Sequence, residues 1–136
     1  MRKALFLGIA LLPGTTLANE HQFDLECVGE QKVYRAPAMR TEPFAATYHI
    51  DLAKSEYCIN TCEGISEFHA IDSLRITLID VDVGRGTLSP VRDKRVLDRR
   101  TGELSIEYLN GITLERLIVA AQCRRMPFTP FPETQF

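Results

Sequence analysis

NGITLERLIVAAQC, residues 110–123, is the stretch whose reading decides the fold. As a helix, its Leu114, Leu117, Ile118 and Ala121 fall at i, i+3, i+4 and i+7 and line one face. As a strand, the same run is the return arm of a hairpin. Asn110-Gly111 lies between two apolar-periodic runs, and both residues tolerate the positive φ of a type I′ turn. The hairpin signal selects the strand, with the helix as its alternative.

Upstream of this stretch, residues 95–98, a turn at 99–102 and an extended run at 103–109 form the preceding hairpin. LRITLIDVDV, residues 74–83, is the clearest strand, because Leu74, Ile76 and Leu78 share one face and Asp80 extends it. HQFDLECV, residues 21–28, alternates Phe23, Leu25 and Cys27 against Asp24 and Glu26. FAATYHIDL, residues 44–52, is a further extended run, and Ala53-Lys54-Ser55 turns it back into Tyr57-Cys58. Residues 67–72 form a short extended piece. Residues 29–43 are polar, contain Pro37 and Pro43, and predict a loop with a short edge strand at 32–35. The expectation is an all-β antiparallel barrel or sandwich of about 7–8 short strands.

The N-terminus has the pattern of an export signal. Arg2 and Lys3 precede an apolar run from Ala4 to Leu12, Pro13-Gly14 breaks it, and Thr16-Leu17-Ala18 supplies small residues for cleavage. The run is too short to span a bilayer. Residues 1–18 are therefore expected as a signal peptide and 19–136 as one domain without a transmembrane segment or a lipid anchor, periplasmic or secreted. Four cysteines fall in the second part, an even number in an oxidising compartment, which implies two disulfides. Cys58 and Cys62 would be about 13 Å apart in an extended strand, too far to bridge, but one helical turn brings them into range. Cys27 then pairs with Cys123, first strand to last.

Charge excludes some partners. The whole chain carries −2, and loss of Arg2 and Lys3 takes it to −4. Arg92, Lys94, Arg95, Arg99 and Arg100 make the densest basic stretch, but Asp93 and Asp98 interrupt it and no aromatic residue lies among them. Nucleic-acid binding needs stacking rings between the charges, so the stretch predicts a solvated hairpin face.

Catalytic and metal chemistry find little support. Cys58 and Cys62 have three residues between them, where redox-active pairs usually have two at a helix start. Adding His69 to the two cysteines gives a loose zinc pattern without a fourth ligand. His49 and His69 are each able to act as a general base, but no serine lies in a nucleophile elbow. Asp80 and Asp82 share a strand face and lack the further oxygens of a calcium loop. The tail places Phe128 and Phe131 among three prolines and ends in Phe136. A terminal Phe is typical of outer-membrane barrel strands, but the prolines exclude such a strand. Phe128 and Phe131 are expected to cover one end of the core. No catalytic residue, cofactor or metal ligand is assigned.

Several elements carry a resemblance. They are Phe23-Asp24-Leu25-Glu26-Cys27-Val28-Gly29, Tyr48-His49-Ile50-Asp51-Leu52 followed by Tyr57-Cys58 and Cys62, Asp98-Arg99-Arg100-Thr101-Gly102, and Gln122-Cys123 with the Pro-Phe tail. Together they resemble an uncharacterised family of small exported, four-cysteine proteobacterial proteins. That pattern usually has Trp where Tyr57 stands and an acid-proline pair where Arg124-Arg125-Met126-Pro127 stands. The resemblance implies export and the disulfide pattern and no assigned activity. The function expected from the sequence is a non-catalytic binding or accessory module of the cell envelope, contacting a protein or inhibiting an enzyme. A lipocalin-like carrier of a small apolar ligand is the alternative, and a small hydrolase using His49 or His69 is the second.

Overall fold

Side-chain alternation sets where the core lies in the computed structural model, which describes residues 20–133. The expected signal peptide and the terminal Phe136 lie outside the described residues. The described residues form nine strands: β1 (Gln22–Arg35), β2 (Ala38–Asp51), β3 (Glu56–Ile59), β4 (Ser66–Glu67), β5 (Ala70–Ile71), β6 (Arg75–Val83), β7 (Val91–Asp98), β8 (Glu103–Asn110) and β9 (Glu115–Met126). All pairings are antiparallel, in the order β4-β3-β2-β1-β9-β8-β7-β6-β5. This is an up-and-down meander whose first and last strands pair, curled into a half-barrel, and the chain-adjacent strands β4 and β5 are its two edges. Near that seam Phe68 N donates to Ser55 O (3.1 Å) and His69 N to Thr77 O (2.9 Å).

One face of the curl is apolar. Phe23, Leu25 and Cys27 of β1 meet Tyr48 and Ile50 of β2, Tyr57 of β3, Ile76 and Leu78 of β6, Leu97 of β7, Leu104 and Ile106 of β8, and Val119, Ala121 and Cys123 of β9. The space among Leu25, Cys27, Tyr48, Ile50, Leu78, Leu97 and Leu104 has no room for a water molecule. The core is filled with side chains, as interiors at native density are. Disulfides join Cys27 to Cys123 and Cys58 to Cys62, as the spacing predicts. Cys27 and Cys123 are register partners on β1 and β9, so that bridge staples the closure of the meander.

The run read as strand over 112–123 is strand from Glu115, where β9 begins, and its first residues, 112–114, belong to the turn before it. Four details differ from the sequence expectation. Residues 29–43 are not a loop: β1 and β2 pair without a break from Gln22↔Asp51 to Arg35↔Ala38. This arm has few buried residues, and Pro43 is tolerated because β2 has β3 beside it only from Tyr48 onward. The β8–β9 turn is longer than a two-residue Asn-Gly turn. Asn110 pairs with Glu115, and its Oδ1 accepts the amides of Ile112 (3.0 Å) and Thr113 (3.2 Å). The bend between Cys58 and Cys62 uses left-handed Asn60 (φ 53°) and Cys62 (φ 55°) in place of a helical turn. Leu74 is exposed, outside the core that takes Ile76 and Leu78.

Candidate functional site

Asp24 and His49 form a buried polar pair. Alternation points Asp24 away from the core that its neighbours Phe23 and Leu25 enter, and the β1–β2 register places it opposite His49. Their side chains are only 7% and 11% exposed, and His49 Nδ1 lies 2.8 Å from Asp24 Oδ1. His49 Nε2 lies 2.9 Å from the Asn60 carbonyl, which the Cys58–Cys62 bend presents. That oxygen only accepts, so Nε2 donates to it, and Nδ1 on the other side of the ring faces the Asp24 carboxyl. The tail closes the group: Thr129 N and Oγ1 both donate to Asp24, at 3.1 and 2.7 Å.

This arrangement is a clasp. A general base needs a free ring nitrogen near the proton it takes, and both nitrogens of His49 are engaged. The Thr129 hydroxyl points at Asp24, not at His49. Phe128 and Phe131 stack edge to face with each other, centroids 5.7 Å apart, and do not join the core as expected. Thr129 between them fastens the tail over Asp24 instead.

His69 lies apart, exposed at the β4–β5 seam. An open groove there is lined by Ser66, Glu67, His69 and Asp80 among others. Among the described residues, the His69 side chain makes no hydrogen bond to any of those three. No three His, Cys, Asp or Glu of the described residues stand together as a metal site, and the sulfurs of Cys58 and Cys62 are bonded to each other.

The basic stretch divides by strand alternation. Arg92 and Lys94 face outward, 3.9 Å from Glu107 and 4.0 Å from Asp80. Arg95 turns inward, against the expectation of a uniformly solvated face. Its Nε and Nη2 donate to the two oxygens of Asp93, each at 2.9 Å. Burial pulls the Arg95 guanidinium toward losing its proton, and the bond to Asp93 outweighs that and holds it. Tyr48 and Tyr57 lie within its field. Burial pushes both phenols above their ordinary value, with Arg95 opposing.

Two surfaces remain. At the base, a cleft of about 280 Å³ is lined by Phe23, Leu25, Ile76, Leu97, Arg99 and Arg125 among others. At the opposite end, topology gathers the β1–β2 tip, the β6–β7 loop (84–90) and the β8–β9 loop (111–114) into one rim. Contacts join the three. Arg35 Nη2 reaches Glu115 at 3.1 Å, and Gly111 N donates to Pro90 O at 2.7 Å. A Cβ on Gly111 would lie 2.4 Å from Pro90, so only glycine lets the two loops meet. The rim exposes large apolar side chains: Leu88 at 98%, Ile112 at 71%, Leu114 at 64%, Val83 at 62% and Met39 at 58%. These are the five most exposed large hydrophobics among the described residues.

No protein family, curated protein or solved structure matches the chain. Sequence reasoning singled out His49 and missed its partner Asp24, 25 positions away, and Thr129, which bonds Asp24 from 105 positions away. It missed the rim as well, since no single loop carries the pattern.

Proposed function

We propose that this chain is an exported, non-catalytic binding module of the cell envelope that acts through its loop rim. The observation that carries the reading is that the five most exposed large apolar side chains among the described residues, Met39, Val83, Leu88, Ile112 and Leu114, lie on the loops and adjoining strand ends of three neighbouring hairpins at one end of the sheet. Scattered surface hydrophobics are ordinary, whereas a contiguous apolar patch marks a contact surface. Two disulfides suit an oxidising compartment. A filled interior favours surface binding over a ligand carried inside the curl. Hydroxyl-radical footprinting of residues 19–136, with and without native envelope fragments, tests it. Protection is expected at Met39, Leu88, Ile112 and Leu114. Protection absent everywhere, or confined to the seam groove, would overturn the reading.

The base cleft favours one second reading, a carrier of a small amphipathic ligand. Its apolar floor of Phe23, Leu25, Ile76 and Leu97 lies beside the Arg99 and Arg125 side chains, and Arg125 sits 4.3 Å over the Phe23 ring. Native mass spectrometry of protein taken from its own envelope decides for or against it. Extra mass lost on denaturation supports a carried ligand, and the bare oxidised chain removes that reading.

A further inference from the structure

The rim's chemistry also identifies what it touches, an inference that rests on the binding-module reading. We infer that the rim docks on an anionic phospholipid bilayer, with aliphatic loop tips inserted and arginines at the headgroups. The tips stand on two loops, Leu88 on one and Ile112 and Leu114 on the other. A protein partner would need a matching pocket for each tip. The acyl boundary takes protruding aliphatic groups at any spacing.

Behind the tips stands a polar collar. In the loops and the three rows of strand residues next to them stand Arg35, Arg40, Arg85, Arg92 and Arg116, against Asp82, Asp93 and Glu115. The balance is +2, five bases against three acids, on a stretch (19–136) whose total is −4, so this end meets an anionic surface with less repulsion than the rest. Tyr34 lies in the same collar, its ring 5.8 Å from the Arg116 guanidinium. Tyrosine and arginine are the side chains that keep an apolar body in the interface and a polar tip in the headgroup layer.

A second observation points to the headgroup itself. Arg92 and Arg116 line a cleft of about 190 Å³ with Glu107, Tyr108 and Leu109. Glu107 lies 3.9 Å from Arg92, a long pairing on a half-exposed surface, so a phosphate competes with it for the guanidinium. Apolar tips and a two-arginine cleft next to them match the two parts of one phospholipid.

Co-sedimentation of residues 19–136 with vesicles of phosphatidylglycerol and phosphatidylethanolamine tests the inference. Binding is expected, and Leu88→Asp with Ile112→Asp should lower the bound fraction about tenfold. Arg92→Ala with Arg116→Ala should lower it about threefold or more and abolish the preference over phosphatidylcholine vesicles. Val28→Asp, an exposed position on the middle of β1, should leave binding unchanged. Each variant is accepted only with its two disulfides and an unaltered circular-dichroism melt. No sedimentation with anionic vesicles overturns the inference, as does binding that the aspartate pair leaves intact or equal binding to phosphatidylcholine. Footprinting protection by native envelope without vesicle binding would leave the rim reading standing and replace the lipid with a protein.

Discussion

Asp24 accepts hydrogen bonds from His49, from the Thr129 amide and from the Thr129 hydroxyl, at a position only 5% exposed. Removing one partner of a buried charge-assisted pair leaves the other without compensation, at a cost of several kcal/mol. Asp24→Ala is therefore expected to lower unfolding stability by about 3 kcal/mol in urea titration. Thr129→Val keeps the shape, deletes one hydroxyl bond and should cost about 1 kcal/mol. Adding His49→Ala to Asp24→Ala should cost much less than the sum of the two single changes, because they remove the same bond. Full additivity would mean that Asp24 and His49 do not act together. The sequence could not reveal this group, since neither the β1–β2 register nor the path of the tail is written in either residue's neighbours.

Among the elements, β1 and β9 leave no room for a side chain at Gly29. Gly29 lies opposite Ala121, and a Cβ built on it would stand 2.1 Å from the Ala120 carbonyl oxygen, a backbone atom with nowhere to go. Gly29→Ala has to push the central pair of strands apart, and a loss of about 1–3 kcal/mol is expected from denaturant unfolding. A neutral substitution would show that the two strands part there easily. The same comparison explains which strands were legible in the chain. Where one face is buried, as at Phe23-Asp24-Leu25-Glu26-Cys27, alternation announces the strand. Between Glu30 and Thr41 most positions are wet or half-wet, so pattern gives way to composition and the arm resembles a loop. Backbone pairing holds it regardless, and hydrophobic period cannot report backbone pairing. Asn110-Gly111 was legible as a turn but not in its length, which the contact with Pro90 sets from a distant part of the chain.

At the scale of the whole molecule, two constraints act through the ends of the chain and through pH. The Cys27–Cys123 bridge spans 96 residues of sequence and the Cys58–Cys62 bridge only 4. Loop-closure entropy then gives the first about 4–5 kcal/mol and the second about 2 kcal/mol. Cys27→Ala with Cys123→Ala should lower the urea midpoint far more than Cys58→Ala with Cys62→Ala, and the reverse order would contradict this account. Acid acts on the turns. Asp98 accepts the amides of Thr101 and Arg100, and Asp72 those of Leu74 and Arg75, which hold both carboxyls below their ordinary range. What they contribute is present above the unfolded value and fades as pH falls through the folded one.

Alkali acts on the interior. Burial raises Tyr48 and Tyr57 above the ordinary phenol value of 10.0, and Arg95 nearby reduces the rise without cancelling it. A group whose folded pKa is raised binds its proton more tightly in the native state. Its contribution is therefore complete below the unfolded value and is lost as pH climbs through the folded one. Absorbance titration of tyrosinate should show two of the four tyrosines ionising late, together with loss of the β-sheet circular-dichroism signal. Tyr57→Phe should remove one late phenol and reduce the loss of stability above about pH 10. All four phenols titrating together in a chain that stays folded would mean that water reaches Tyr48 and Tyr57, and the filled core assigned to this half-barrel would have to be abandoned.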